Sequence, residues 1–135
     1  MKQVTAIRQT QQRRAIRQVL EEARGPLTPQ EILQLASAEQ ENLGLATVYR
    51  NLGSMQETGE VRAVHLPGDP TRFEPAQSHH HHHFRCEVCQ TVYKIEQPCP
   101  VQALEGVTLP GGFTVIDHSL TFYGTCPDCQ PGIRD

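Results

Sequence analysis

The sequence predicts an α+β chain in two parts: an N-terminal winged helix-turn-helix domain and a small C-terminal α/β domain stapled by metal. Three observations lead there. Apolar residues recur with helical period as far as Glu57 and with the two-residue period of a strand beyond Gly59. A Cys-x-x-Cys pair at Cys86 and Cys89 recurs as Cys126 and Cys129. The stretch Ser78–Cys89, SHHHHHFRCEVC, runs five histidines, His79–His83, almost directly into the first thiol pair.

The elements follow in order. Ala15, Ile16, Val19, Leu20 and Ala23 form one helical stripe over Thr10–Ala23, with Thr10 as N-cap and Gly25-Pro26 as the stop. Thr28-Pro29-Gln30-Glu31 reads as a capping box with Pro at the first helical position. The helix it opens is expected to bury Ile32, Leu33, Leu35 and Ala36. A third helix runs from about Ala46 to Glu57, which completes a helix-turn-helix. Val61–Leu66, the turn Pro67–Pro70 and Thr71–Glu74 then make a hairpin, the wing. Pro75–Ser78 has linker composition. The expected division is therefore a winged-helix domain over 1–75, a hinge over 76–78, and a second domain over 79–135. In that second domain Val92–Ile95, Phe113–Ile116 and Ser119–Tyr123 read as strands, Leu109–Gly112 as a turn and Pro100–Glu105 as a short helix.

With 135 residues, 37% hydrophobic and 5% aromatic, the chain has room for only a modest core, which favours a metal staple or a dimer interface. No apolar run is long enough to span a bilayer and no signal-peptide pattern opens the chain, so the expected location is the cytoplasm. Thiols stay reduced there, and five cysteines in two close pairs plus a singleton read as metal ligands rather than disulfides. The net charge of −3 conceals an asymmetry. Residues 1–20 hold Lys2, Arg8, Arg13, Arg14 and Arg17 and no acid, a net of +5, whereas 64–135 hold four bases and eight acids, a net of −4. A basic head on an acidic body suits phosphate binding at one end and cations at the other; a charged, solvated helix face is the plainer reading.

The two Cys-x-x-Cys turns carry the most specific chemistry. Zinc accepts four thiolates tetrahedrally, and Cys86, Cys89, Cys126 and Cys129 would leave no position for water, which makes the site structural. A dithiol redox site at Cys126-Pro127-Asp128-Cys129 is the competing reading, but such sites open a helix after a βαβ unit. A zinc deaminase would need an upstream His-x-Glu, which the chain lacks. If the histidine run is a strand, His79, His81 and His83 face one way and His80 and His82 the other. The run could also be a solvated polar loop. On the third helix, Ala46, Thr47, Tyr49 and Arg50 point away from the core, types that suit a DNA major groove. Any amphipathic helix has such an outer face. Arg13, Arg14 and Arg17 are candidate phosphate contacts. No nucleophile–base pair or substrate-pocket signature appears, so an enzyme with a small-molecule substrate is not expected.

GLATVYRNL, SHHHHHFRCEVC and DHSLTFYGTCPDC, in this order and spacing, resemble the ferric uptake regulator (Fur) superfamily over nearly the whole chain. The resemblance implies a winged-helix DNA-binding domain, a hinge and an α/β dimerisation domain. It also implies a homodimer that represses transcription by binding a palindromic A/T-rich operator in double-stranded DNA when its regulatory metal is present. Cys86, Cys89, Cys126 and Cys129 look like the family's structural zinc site. Glu74, His81 and His83 fall where the family places hinge-metal ligands, and His80, His82 and His118 where many members have an additional site. Four departures weaken the iron and peroxide readings: Pro26 in place of a ligating His, Lys94 in place of an acid, His82 in place of a frequent Asp, and Val101 in place of an acid. Glu96 lies on the same strand face as Lys94, two residues on. His65 sits in the wing strand where zinc-sensing relatives have a ligand, and is otherwise a polar strand residue. A hinge set of His65, Glu74, His81 and His83 favours Zn2+ over Fe2+ or Mn2+. Cys99 reads as a small hydrophobe rather than a ligand. The expected function is a metal-responsive repressor of metal-uptake or metal-homeostasis genes. The alternative is a metal-binding or zinc-trafficking protein without specific DNA binding.

Overall fold

The computed structural model describes residues 2–76, 81–96, 99 and 104–130, with residues 2–5 as backbone only. The chain divides into two compact units, Met1–Ser78 and His79–Asp135.

The first unit holds helices α1 (Lys2–Glu22), α2 (Pro29–Ala36) and α3 (Leu45–Glu57) and an antiparallel hairpin of β1 (Val61–Val64) and β2 (Arg72–Pro75). Helix α1 begins eight residues before the expected cap at Thr10. No Gly or Pro interrupts residues 1–24, so nothing stops the helix from extending backwards. Thr10 is therefore internal, and its hydroxyl donates to the Ala6 carbonyl at 2.9 Å. The capping box at α2 forms as read. The Thr28 hydroxyl accepts from the Glu31 amide at 3.2 Å, and the Glu31 carboxylate accepts from the Thr28 amide at 2.9 Å. Such a cap stabilises by about 1 kcal/mol.

Ile16, Leu20, Ile32, Ala36, Leu43, Val48, Leu52, Met55, Val61 and Phe73 form the core of this unit. Each large side chain among them contributes roughly 1.5–3 kcal/mol on leaving water. Leu35, expected inside, is 53% exposed, because Ile32 and Ala36 define the buried stripe and Leu35 lies on its shoulder. The loop before α2 joins the hairpin: Leu27 and Phe73 exchange backbone hydrogen bonds of 3.0 and 2.8 Å. Buried Arg72 locks that junction. Its guanidinium reaches Asp69 at 2.5 Å, Glu31 at 2.9 Å and the Pro26 carbonyl at 3.3 Å. Gly59, with φ of +78°, turns the chain out of α3 into the wing, a conformation that costs other residues energy.

The second unit is a three-stranded sheet in the order β4-β3-β7, built from β3 (His82–Cys86), β4 (Val92–Ile95) and β7 (Thr121–Gly124). A separate hairpin joins β5 (Thr108–Leu109) to β6 (Phe113–Thr114). Strand β3 runs antiparallel to β4 and parallel to β7, with Cys86 opposite Gly124. The strands at 113 and 121 are shorter or shifted from the expected spans by one to two residues. Residues 100–103 of the expected helix lie outside the described residues. Among the described residues of this unit the buried hydrophobic ones are Val92 and the two thiols Cys86 and Cys126. So small an apolar core needs the thiol cluster as a staple.

Candidate functional site

Parallel pairing of β3 and β7 explains how two distant Cys-x-x-Cys turns meet. Each turn follows the C-terminal end of its strand, and parallel neighbours present those ends on the same edge of the sheet. Gln90, with φ of +64°, closes the first turn, and a single 3-10 turn over Pro127–Cys129 closes the second. The ligand atoms of Cys86, Cys89, Cys126 and Cys129 all lie within 4.8 Å of one another. The amides of Cys126 and Cys89 donate to the Cys86 sulfur at 3.4 and 3.5 Å, so the Cys86 thiol falls to about 6. The Tyr93 hydroxyl donates to Cys126 and lowers its thiol too, whereas Cys129, facing Cys126, is pushed up to about 12. Four convergent sulfurs, some already favoured as thiolates by backbone dipoles, fit a tetrahedral thiophilic cation such as zinc. Bound there, it would cross-link the sheet end.

The alternation of strand side chains separates the histidines. His81 and His83 share a face, their rings edge to face at 5.1 Å. His82 points the other way, where its ring lies 5.2 Å from that of His118. His79 and His80 lie outside the described residues. Glu74 stands on β2 of the first unit, opposite Arg62, whose guanidinium is 3.5 Å from its carboxylate. His65 is exposed on the wing, its Nδ1 3.3 Å from the Thr71 hydroxyl. Pro26 and Lys94 stand as the sequence has them, and the Lys94 ammonium lies 2.9 Å from Glu96.

In the first unit, α3 turns Val48, Leu52 and Met55 into the core and exposes Ala46, Tyr49 and Arg50, while Thr47 is half-buried. The Arg50 guanidinium donates to the Thr47 hydroxyl at 3.3 Å. A groove of about 500 Å3 between α1 and α3 is lined by Arg8, Thr10, Arg13, Thr47, Arg50 and Asn51 among others, a cationic and hydrogen-bonding wall. Arg14 is exposed. Arg13 and Arg17 both reach the Glu60 carboxylate, and Arg13 also donates to Ser54 and Thr58 at 3.0 and 3.1 Å. That hold, chiefly the hydrogen bond from Arg13 and then that from Thr58, keeps the Glu60 carboxyl below its ordinary range. Sequence reasoning missed Arg8 as a groove residue, Glu60 as the anchor of α1, and Tyr93 as a thiol partner. The basic spacing of α1 was a signal for the first; the other two are contacts made only on folding.

Residues 5–123 match the ferric uptake regulator family. The chain belongs to that family. It is thus a metal-responsive transcriptional regulator, of α+β two-domain fold, with candidate metal sites in place. It is 34% identical over 114 residues to the ferric uptake regulation protein of Legionella pneumophila, covering 84% of each chain. It is equally 34% identical, over 125 residues, to the zinc uptake regulation protein of Mycobacterium tuberculosis, covering 92% of this chain and 95% of that one. Among solved structures, a zinc-bound manganese uptake regulator superposes with a TM-score of 0.74 at 26% identity, covering 85% and 87% of the two chains. FurB from M. tuberculosis, a zinc uptake regulator, does so at 0.54 and 32% identity, covering 95% and 99%. Equal identity to an iron and a zinc regulator leaves the choice of metal to the ligand chemistry. No helix among the described residues is long and apolar enough to cross a membrane.

Proposed function

We propose that this chain is a zinc-activated repressor of metal-homeostasis genes, acting in the cytoplasm as a homodimer on a palindromic A/T-rich DNA operator. The observation that carries the DNA reading is helix α3. Its inner side is fully engaged by Val48, Leu52 and Met55, so its exposed Ala46, Tyr49 and Arg50 are held rigidly and are not needed for packing. Ala46 and Thr47 permit close approach to a major groove, Tyr49 meets a thymine methyl, and Arg50 pairs with guanine or phosphate. Arg13, Arg14 and Arg17 supply backbone contacts and a salt-dependent affinity.

Cys86, Cys89, Cys126 and Cys129 hold a structural zinc ion. A second ion is held by His81 and His83 of the histidine run with Glu74 and His65 of the wing, over the hinge at 76–78. A bound cation would supply Lewis-acidic bridging between wing and second unit. Glu74 precedes His81 by only seven residues (81 − 74), so the chain tethers these ligands near one another. The bridge favours the orientation in which the recognition helices of the two protomers match successive grooves, a population shift and not a new fold. Three imidazoles and one carboxylate suit four-coordinate zinc better than six-coordinate iron or manganese.

Operator fragments selected from random genomic DNA, bound to protein stripped of its hinge metal and titrated with buffered zinc, ferrous iron and manganese, decide between the metals. Zinc is expected to activate at the lowest free concentration. His81→Ala should abolish that activation while the thiol-bound zinc and the fold persist. Activation by iron or manganese instead, with His65→Ala behaving as wild type, would remove the zinc assignment. Absence of sequence-specific DNA binding under every metal would remove the repressor reading.

A further inference from the structure

Cys99 is the one cysteine outside the thiol cluster, and folding brings it between two histidines far from it in sequence. Its sulfur lies 3.1 Å from Nε2 of His82 and 3.0 Å from Nε2 of His118. His82 is buried, at 4% exposure, and Cys99 and His118 are half-buried. Two carboxylates stand near His118. Its Nδ1 lies 3.6 Å from the Glu105 carboxylate, and its backbone amide donates to Asp117 at 2.8 Å.

We infer that Cys99 is a ligand of the additional site that His82 and His118 mark, so that a thiolate stands there where an oxygen ligand was expected and the site takes zinc or another thiophilic cation. Three observations support this. The three ligand atoms lie within 4.8 Å of one another. In a tetrahedral site with zinc–sulfur near 2.3 Å and zinc–nitrogen near 2.05 Å, sulfur and nitrogen stand about 3.5 Å apart, so the ligands need part by only about half an ångström. Val101 offers no donor, while Cys99, two residues earlier, does. The donor set also decides the class of cation. One thiolate and two imidazoles disfavour manganese and ferrous iron, which prefer oxygen, and favour zinc, cadmium or cuprous copper. Among the described residues three protein ligands converge here, against four at the thiol cluster.

The test uses the full chain with zinc retained at the four-thiol site, titrated with cobalt(II) as a spectroscopic probe. The hinge ligands proposed above contain no sulfur, so a thiolate-to-cobalt charge-transfer band can arise only at Cys99 or by exchange into the four-thiol cluster. Wild type is expected to develop the band, Cys99→Ser to lose it, and zinc affinity at this site to fall at least tenfold in the variant. A band of equal strength in Cys99→Ser, or none in wild type, overturns the proposal. Should Cys99→Ser fail to fold, alkylation of Cys99 in the wild-type chain gives the same answer. Zinc is expected to slow alkylation at least tenfold, and His118→Ala to abolish that protection. Equal rates with and without zinc overturn the site.

Discussion

Glu60 is a single carboxylate shared by two guanidiniums of α1, those of Arg13 and Arg17. Its lowered pKa makes it a source of stability above the ordinary carboxylate range, lost as pH falls through the depressed folded value. Both partners are partly exposed, so the contribution is about 1 kcal/mol or less. Glu60→Gln should therefore lower the urea midpoint of the protein slightly at neutral pH and leave no difference from wild type in strong acid. The same variant separates two roles for the arginines. If they contact phosphates as proposed, releasing them should tighten binding to any duplex and steepen its salt dependence; weaker DNA binding would mark them as scaffold for α1. At this scale the sequence was readable where a residue's partner is close along the chain. Thr28 and Glu31 are three apart, and the capping box was plain. Cys99 was not, because His82 and His118 lie 17 and 19 residues away and only the sheet brings them together.

Elements were legible in type and less so at their ends. The hydrophobic stripe located α1 but could not show that its first turns continue through residues 6–10, all exposed, where no apolar face marks the helix. The strands of the second unit are short, and the spacing of the thiol pairs, not their hydrophobicity, disclosed the unit. Parallel pairing of β3 with β7 was beyond the sequence, since nothing local records which strand becomes whose neighbour. It nevertheless positions both candidate ion sites of that unit, with thiols past the C-terminal ends of the two strands and His82 and His118 toward their N-terminal ends. Cys126→Ser is expected to unfold the second unit while the first keeps its helical signal. Structural zinc contributes on the order of 10 kcal/mol, and Val92 with a few half-buried neighbours cannot replace it. A variant with unchanged melting temperature and zinc content would contradict the staple.

The molecule as a whole leaves apolar surface uncovered. In the second unit Phe113 is 68% and Ile116 88% exposed, and Leu109, Val107, Phe122 and Tyr123 are also exposed. Exposed apolar residues in this number favour a covering partner, and the proposed homodimer supplies one. Replacing Phe113 and Ile116 together by Asp should give a monomer by sedimentation that retains its thiol-bound zinc and loses tight operator binding. A double variant that remains dimeric would place the interface elsewhere. The change of hydrophobic period and the charge asymmetry set a helical, basic N-terminal part apart from an acidic C-terminal one. The apolar surface was not legible in the sequence, because Phe113 and Ile116 read on paper as ordinary strand residues.

Five successive histidines make a ruler whose graduations are identical. Sliding β3 by one residue would put a histidine at all but one of the places where a histidine stood, yet exchange the set that faces Cys99 and His118 for the set that faces the other way. Within the run no histidine differs from the next, so only its ends could register the error. The zero of the scale is Cys86, whose sulfur is fixed in the thiol cluster and whose backbone is fixed opposite Gly124. Each imidazole acquires its address by counting back from that point, His82 about 13 Å away at roughly 3.3 Å per residue. Without the thiol-bound ion the addresses dissolve and the histidines become interchangeable. In a protein emptied at that cluster, His81→Ala and His82→Ala should lose their distinct effects on metal binding, because the strand that separates their faces is no longer held.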